Sequence, residues 1–198
     1  VTKADGTTDS TKNYTIDVKG KLTITKSDEL AFVELSANGY DKPYDARTHG
    51  EAAKTNAKTG ATKVEYSVDN GATWSETVPT ITDAGTVNVK VRATNPNYAN
   101  TAEGEYTLNV SKVAIEVYRE TSMAYTGSEQ TMDITKDNAK GLVGDEQLTL
   151  TGAKVSGTEA RTHESVAEGW TWSVTKADGT TDSTKNYTID VKGKLTIT

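Results

Sequence analysis

Apolar residues recur at every second position through much of this chain, with polar residues at the positions between. Val87, Val89 and Val91 share one side of TVNVKVRA, against Asn88, Lys90 and Arg92 on the other. Tyr106, Leu108 and Val110 repeat the pattern, as do Val64, Tyr66 and Val68, then Val113, Ile115 and Val117. Leu148 and Leu150 follow, and finally Tyr187, Ile189 and Val191. A period of two with a polar partner face predicts strands buried on one side, read here as antiparallel. Turn signals punctuate the runs: Asp69-Asn70-Gly71, Asn95-Pro96-Asn97, Lys192-Gly193 and its copy Lys19-Gly20. Asn70-Gly71 is the strongest, because a type I′ turn needs positive φ at both central residues. No segment sustains a helical period, although Ile134–Val143 has room for one helical turn. The pattern predicts an all-β protein.

The first 25 residues, VTKADGTTDSTKNYTIDVKGKLTIT, return unchanged at 174–198. Such identity marks one period of a tandem array preceded by the tail of another period. Within the period two modules are expected, 26–111 (KSDELAFVEL to GEYTLNVS) and 112–198 (KVAIEVYRE to KLTIT). Each has the size of a seven-strand sandwich, so the expected architecture is two tandem Ig-like β-sandwich modules. A β-grasp-like second module is the alternative, which a real helix within 134–143 would favour. Both modules end alike, with an Asn-Tyr turn before a final alternating strand: Asn97-Tyr98 precedes GEYTLNVSK, and Asn186-Tyr187 precedes KGKLTIT. No Gly/Pro/Ser linker separates the modules, which predicts short, stiff joints. Residues 1–25 are then the closing hairpin of a preceding second-type module. Their Tyr14, Ile16, Val18, Leu22 and Ile24 lack a core, so the segment is expected to be loosely held or to pair with a neighbouring chain.

Composition narrows the function classes. The formal net charge is −6, and Lys and Arg are interspersed with Asp and Glu. Nothing here draws nucleic acid or an anionic membrane, both of which want basic patches. Cysteine is absent, excluding disulfides and thiolate metal sites and leaning toward a bacterial surface or intracellular origin. No apolar run reaches transmembrane-helix length in these residues, and they contain no signal or sorting motif. There is also no Gly-rich phosphate loop, no metal-ligand cluster and no catalytic constellation, so no enzyme is expected.

Specific motifs point further. Tyr44-Asp45, Glu65-Tyr66-Ser67, Asp69, Gly71, Thr73-Trp74, Asp83-Ala84-Gly85-Thr86 and Asn95–Tyr98 resemble the MBG-type (mostly-beta, glycine-rich, "YDG") tandem repeats of bacterial cell-surface adhesin-like proteins. Ala46 departs from that pattern, which has Gly after Tyr-Asp. The second module looks like the companion type, with Tyr125-Thr126-Gly127 and the ending TKNYTIDVKGKLTIT. The resemblance implies an extracellular, cell-wall-anchored parent protein and a repeat unit that acts as a stalk or spacer. Its partners would be neighbouring identical repeats, and the distal adhesive domain would lie elsewhere. In the alternative, the repeats themselves bind mucin, host glycan or a matrix protein, with weak sites made strong by number.

Candidate chemistry is sparse. Trp170 and Trp172 share one face of GWTWSVT and, with Trp74, are the candidates for stacking on a sugar; the same spacing suits a sandwich core. His49 and His163 each end an Ala-Arg-Thr-His tetrapeptide, where a general base beside Thr48 or Thr162 is conceivable. No cofactor is expected. Calcium is the single metal considered, at the turn carboxylates of Asp5–Asp9, Asp178–Asp182 and Asp69. A self-formed Lys–Asn isopeptide or Thr–Gln ester bond would need a buried pair beside a neutral carboxylic acid.

Overall fold

The long alternating runs become the long strands. The computed structural model describes residues 1–15, 17–27 and 29–198. The first half holds β1 (Phe32–Val33), β2 (Asn38–Pro43), β3 (His49–Gly50), β4 (Lys54–Thr55), β5 (Lys63–Ser67), β6 (Thr80–Ile81), β7 (Gly85–Thr94) and β8 (Ala102–Ser111). The second half holds β9 (Val113–Met123), β10 (Gln130–Asp133), β11 (Ala139–Lys140), β12 (Gln147–Thr151), β13 (Lys154–Gly157), β14 (Thr162–His163), β15 (Thr171–Thr175) and β16 (Tyr187–Ile197). The protein is all-β with several sheets, and no α-helix occurs among the described residues. The stretch 134–143 contains a single 3-10 turn, Lys136–Asn138, not the helix on which a β-grasp reading would rest.

Each half is built on one four-stranded sheet, ordered β2-β8-β7-β5 in the first and β11-β9-β16-β14 in the second. Two-stranded sheets complete them: β1-β4 and β3-β6, then β10-β13 and β12-β15. The two-stranded sheets are antiparallel as expected, but each four-stranded sheet is mixed, which corrects the antiparallel expectation at one strand pair in each. β2 runs parallel to β8, and β9 runs parallel to β16 along eleven paired positions, Tyr187 with Val113 through Ile197 with Met123. Alternation reports a half-buried face and says nothing of strand direction. A parallel pair needs a long crossover, and the strands between the two partners supply it.

The expected core faces are buried. Val89, Val91, Tyr106, Leu108 and Val110 point inward in the first half, as do Ile115, Val117, Leu148, Val174, Tyr187 and Leu195 in the second. Val68 is an exception. β5 stops at Ser67 as the chain enters the Asn70-Gly71 turn, so Val68 is exposed. Asn70 and Gly71 both have positive φ, 60° and 94°, as a type I′ turn requires. Asp69 organises this loop by accepting from Thr73 Oγ1, Thr73 N and Ser67 Oγ. Those donors, Thr73 Oγ1 foremost, lower its pKa to about 2.

Ala46 also sits in the left-handed region, at φ 62°. An L-residue there is strained by contact between Cβ and the following carbonyl oxygen, whereas glycine is not. Ala46→Gly is therefore expected to raise stability by about 0.5–1 kcal/mol, against the usual direction of an Ala→Gly change. A urea midpoint that stays level or falls would contradict this.

The Lys192-Gly193 turn does not form. Gly193 lies inside β16, and the face Tyr187, Ile189, Val191, Gly193, Leu195, Ile197 continues through it without a change of phase. A Cβ built on Gly193 would lie 2.8 Å from Ile134 Cδ1, 2.8 Å from Val155 Cγ2 and 3.0 Å from Met132 Cε. This glycine lets core side chains close over the strand, the other common reason for Gly inside a strand pattern. The closing segment is one eleven-residue strand, not a hairpin.

The two 25-residue copies fold alike over their first half and differ over their second. Thr2 bridges Asp9 as Thr175 bridges Asp182. Asp5 accepts from Thr7 N, Thr8 N and Thr8 Oγ1, as Asp178 does from Thr180 N, Thr181 N and Thr181 Oγ1. The 3-10 turn Thr11–Asn13 matches Thr184–Asn186. Beyond that point β16 has no counterpart among the described residues of the first copy. Tyr14 is 61% exposed where Tyr187 is 2%, Leu22 87% where Leu195 is 0%, and Ile24 86% where Ile197 is 2%. Ile16, expected on the same stripe, lies outside the described residues.

Candidate functional site

The most elaborate polar structure in the molecule lies where the two halves meet. Tyr44 follows β2 and is tied to the end of β8 by donating its N–H to Ser111 O. Its hydroxyl reaches into the second half and donates to Glu146 Oε1 at 2.7 Å. Glu146 is buried, and Ser183 Oγ and the Tyr187 hydroxyl donate to it as well. Three hydroxyl donors around two oxygens suit an acceptor-only carboxylate. The rings of Tyr44 and Tyr187 meet edge to face, with centroids 5.7 Å apart. Through them a continuous apolar cluster runs from the first half into the second.

Asn186 forms a second tie. Its side chain is fully buried: Oδ1 accepts from Ala84 N at 2.7 Å, and Nδ2 donates to Asp83 Oδ1 at 3.1 Å and to Ser183 Oγ at 3.0 Å. Lys185 Nζ adds an ion pair to Asp83 Oδ2 at 2.9 Å. Local sequence makes this arrangement available, since Asp182 accepts from Thr184 N and turns the chain into the 3-10 segment that presents Asn186 and Tyr187 side by side. The Asn-Tyr pair was legible as a turn mark before the last strand. Tyr44 was marked only through the Tyr44-Asp45 motif and Glu146 by nothing, because neither a Tyr-Asp pair nor an isolated Glu reveals burial.

Burial raises the pKa of Tyr44, and burial with the hydrogen bond to Glu146 raises that of Tyr187 far above the ordinary tyrosine value. Burial raises Tyr106 in the first half likewise. A phenol whose folded pKa is raised supports the fold fully below its unfolded pKa of about 10, and that support is lost as pH climbs further. Stability is therefore expected to hold through neutral pH and fall above about pH 10. Tyrosinate absorbance for these three phenols should appear only as circular dichroism reports unfolding. Their titration in a still-folded chain would refute the assignment.

Other candidate residues are placed as follows. Trp172 lies on β15 opposite Leu150, and Trp170 and Trp172 are half-buried against the main core on the parity of fully buried Val174. Trp74 is half-buried beside the Asn70-Gly71 turn; its Nε1 donates to Gly71 O, and the Arg92 guanidinium stacks 4.2 Å from its ring centroid. It walls an open groove of about 400 Å³, which adjoins another of about 670 Å³ through Asn70, Lys90 and Glu105.

The histidines do not meet their neighbouring threonines. His49 stacks on Tyr40 and contacts Asp45 Oδ1 at 2.7 Å, while Thr48 bonds Thr82. His163 Nε2 lies 3.0 Å from Glu159 O, and Thr162 bonds Thr196. No three His, Asp or Glu side chains converge as a metal site among the described residues, and their buried polar set contains no Lys, Thr or Gln for an isopeptide or ester bond. No helix of the described residues is long and apolar enough to cross a membrane. No family model matches the chain, and comparison with curated proteins finds no match.

Proposed function

We propose that this chain is the repeating unit of a bacterial cell-surface stalk, a spacer that holds a distal adhesive domain away from the cell wall. Two Ig-like sandwich modules, 26–111 and 112–198, form the unit, in keeping with the MBG-type motifs. The observation that carries the reading is the joint. Residues from both modules share one buried network around Glu146 and Asn186, and β8 passes into β9 with only Lys112 between them. A flexible tether needs neither feature, whereas a rod that transmits length needs both. The repeated 25 residues fit a device whose reach is set by copy number.

Scattering from chains of one, two and four periods tests this. A stiff stalk lengthens in proportion to copy number, by roughly 60–80 Å per period at the rise of extended strands. Growth as the square root of copy number would mean a flexible chain and would overturn the spacer reading.

A second reading is favoured by the groove beside Trp74: the repeats themselves bind mucin or glycan multivalently. Arg92 already covers one face of that indole, so a sugar would stack on the other. Multivalent display on arrays of mucins, glycans and matrix proteins separates the two. Saturable binding lost in Trp74→Ala, but kept in Trp170→Phe and Trp172→Phe, supports adhesion through this groove. Silence from a folded display leaves the spacer.

A further inference from the structure

We propose that residues 10–24 are a donor strand for a second copy of this chain, entering its second half in the place and register of residues 183–197. The proposal does not depend on the stalk reading. It stands on two observations. The first is the apolar stripe Tyr14, Val18, Leu22 and Ile24, exposed here, whose sequence is identical to a strand that is buried elsewhere in the same molecule. A surface that complements this stripe residue by residue therefore exists, formed by β9 on one side and β14 on the other. The second is Ser10. It is 4% exposed and its Oγ has no partner, while the matching Ser183 Oγ donates to Glu146. The joint's polar contacts are thus pre-shaped at Ser10, Asn13 and Tyr14, with the carboxylate missing.

In the second copy, Ser10 and Tyr14 would reach its Glu146, and Asn13 its Asp83 and Ala84. Lys21 would meet its Glu120, as Lys194 does now at 2.8 Å. Because Thr25 runs directly into Lys26, the donor's first half would then follow the acceptor's second half as one period follows another in a covalent array. The contact is head-to-tail, so each acceptor still offers its own donor segment and chains add until the series closes in a ring or extends. In the intact chain the exchange trades identical contacts, and the tethered β16 wins by effective concentration. Donation prevails where β16 is displaced or damaged.

The test uses the full chain carrying Leu195→Asp and Ile197→Asp, which spoils its own β16. Its mass by light scattering should rise from one chain to two or more as concentration is raised. Adding Leu22→Asp and Ile24→Asp should return it to one chain. The protein has no cysteine, so introduced pairs report register without background. Asp190 faces Glu116 across the parallel pair, and Lys194 faces Glu120. In the spoiled background Asp17→Cys with Glu116→Cys should give disulfide-linked ladders, and Asp17→Cys with Glu120→Cys should not.

Should the spoiled chain fail to fold, a peptide of residues 1–25 supplied in excess should restore the Trp170 and Trp172 fluorescence and hold the mass at one chain plus one peptide. Any of four results overturns the proposal: a single-chain mass at every concentration, association that survives the Leu22 and Ile24 changes, ladders of equal strength from both cysteine pairs, or a peptide without effect.

Discussion

Glu146→Ala is expected to cost about 3–5 kcal/mol and to split one unfolding transition into two. Removing the carboxylate takes away the acceptor of three buried hydroxyls: Tyr187 is left only accepting from Val143 N, and Tyr44 and Ser183 are left with each other and Asn186 Nδ2. Each buried polar group left without a partner costs on the order of 1–3 kcal/mol, and breaking a buried charged network typically reaches about 3–5 kcal/mol. Two of the three donors belong to the second half and one to the first, so the loss falls on the joint as well as on the second half. Urea unfolding can be followed at Trp74 and at Trp170/Trp172 by fluorescence of variants that keep only those tryptophans. The curves should coincide in the parent chain and separate once Glu146→Ala is introduced, the second half melting first. Tyr44→Phe removes the hydroxyl that meets Glu146 and Ser183 across the joint, leaves the Asn186 tie in place, and should cost about 1.5–3 kcal/mol. Coincident transitions at unchanged midpoint in Glu146→Ala would mean that the network is incidental to stability.

The same substitution in the two copies of one sequence should have opposite consequences. Leu195→Ala removes a core side chain with no exposed surface, on a strand paired to β9 and β14, and is expected to cost about 2–5 kcal/mol through lost burial and the cavity left behind. Leu22→Ala removes the identical residue from the identical local sequence, but from a side chain 87% exposed, and should stay within about 0.5 kcal/mol. Thermal unfolding at low protein concentration, where no second copy is available to the N-terminal segment, measures both. A loss at Leu22 comparable to that at Leu195 would show that the first copy is buried in solution.

Much of the fold was legible because strand burial is written locally. The alternating valines of β7 and the Tyr106, Leu108, Val110 face of β8 are buried as their period predicts, and Asn70-Gly71 makes the turn that its backbone preferences demand. Ala46 shows the same logic from the other side: the position at which glycine was expected does require a left-handed residue. The misread Lys192-Gly193 turn had a signal that argued against it. The apolar phase runs unbroken from Tyr187 to Ile197, whereas a two-residue turn would have reversed the chain between two separately phased runs. Glycine there answers to Met132, Ile134 and Val155, which lie far away along the chain, and no local rule reports such neighbours.

The joint was less legible for the same reason. Asn186-Tyr187 was visible as a mark before the last strand, but Glu146, Tyr44 and Asp83 come together from three separate loops. The candidate stacking residues Trp170 and Trp172 could not be assigned by spacing, since a core face and a binding face share the period of two; their packing against the Val174 side of β15 is a tertiary fact.

The duplicated 25 residues divide these two kinds of information cleanly. Sequence by itself determined the Asp-Gly-Thr-Thr turn and the 3-10 turn after it, which form identically at 1–13 and 174–186, because their hydrogen bonds are satisfied within a few residues. Tertiary structure alone decided the rest. The same Tyr-Thr-Ile-Asp-Val-Lys-Gly-Lys-Leu-Thr-Ile is a buried strand at 187–197, where β9 and β14 supply ladder partners and a core. At 14–24 the described residues stay exposed, for a strand cannot satisfy its own backbone or cover its own apolar face.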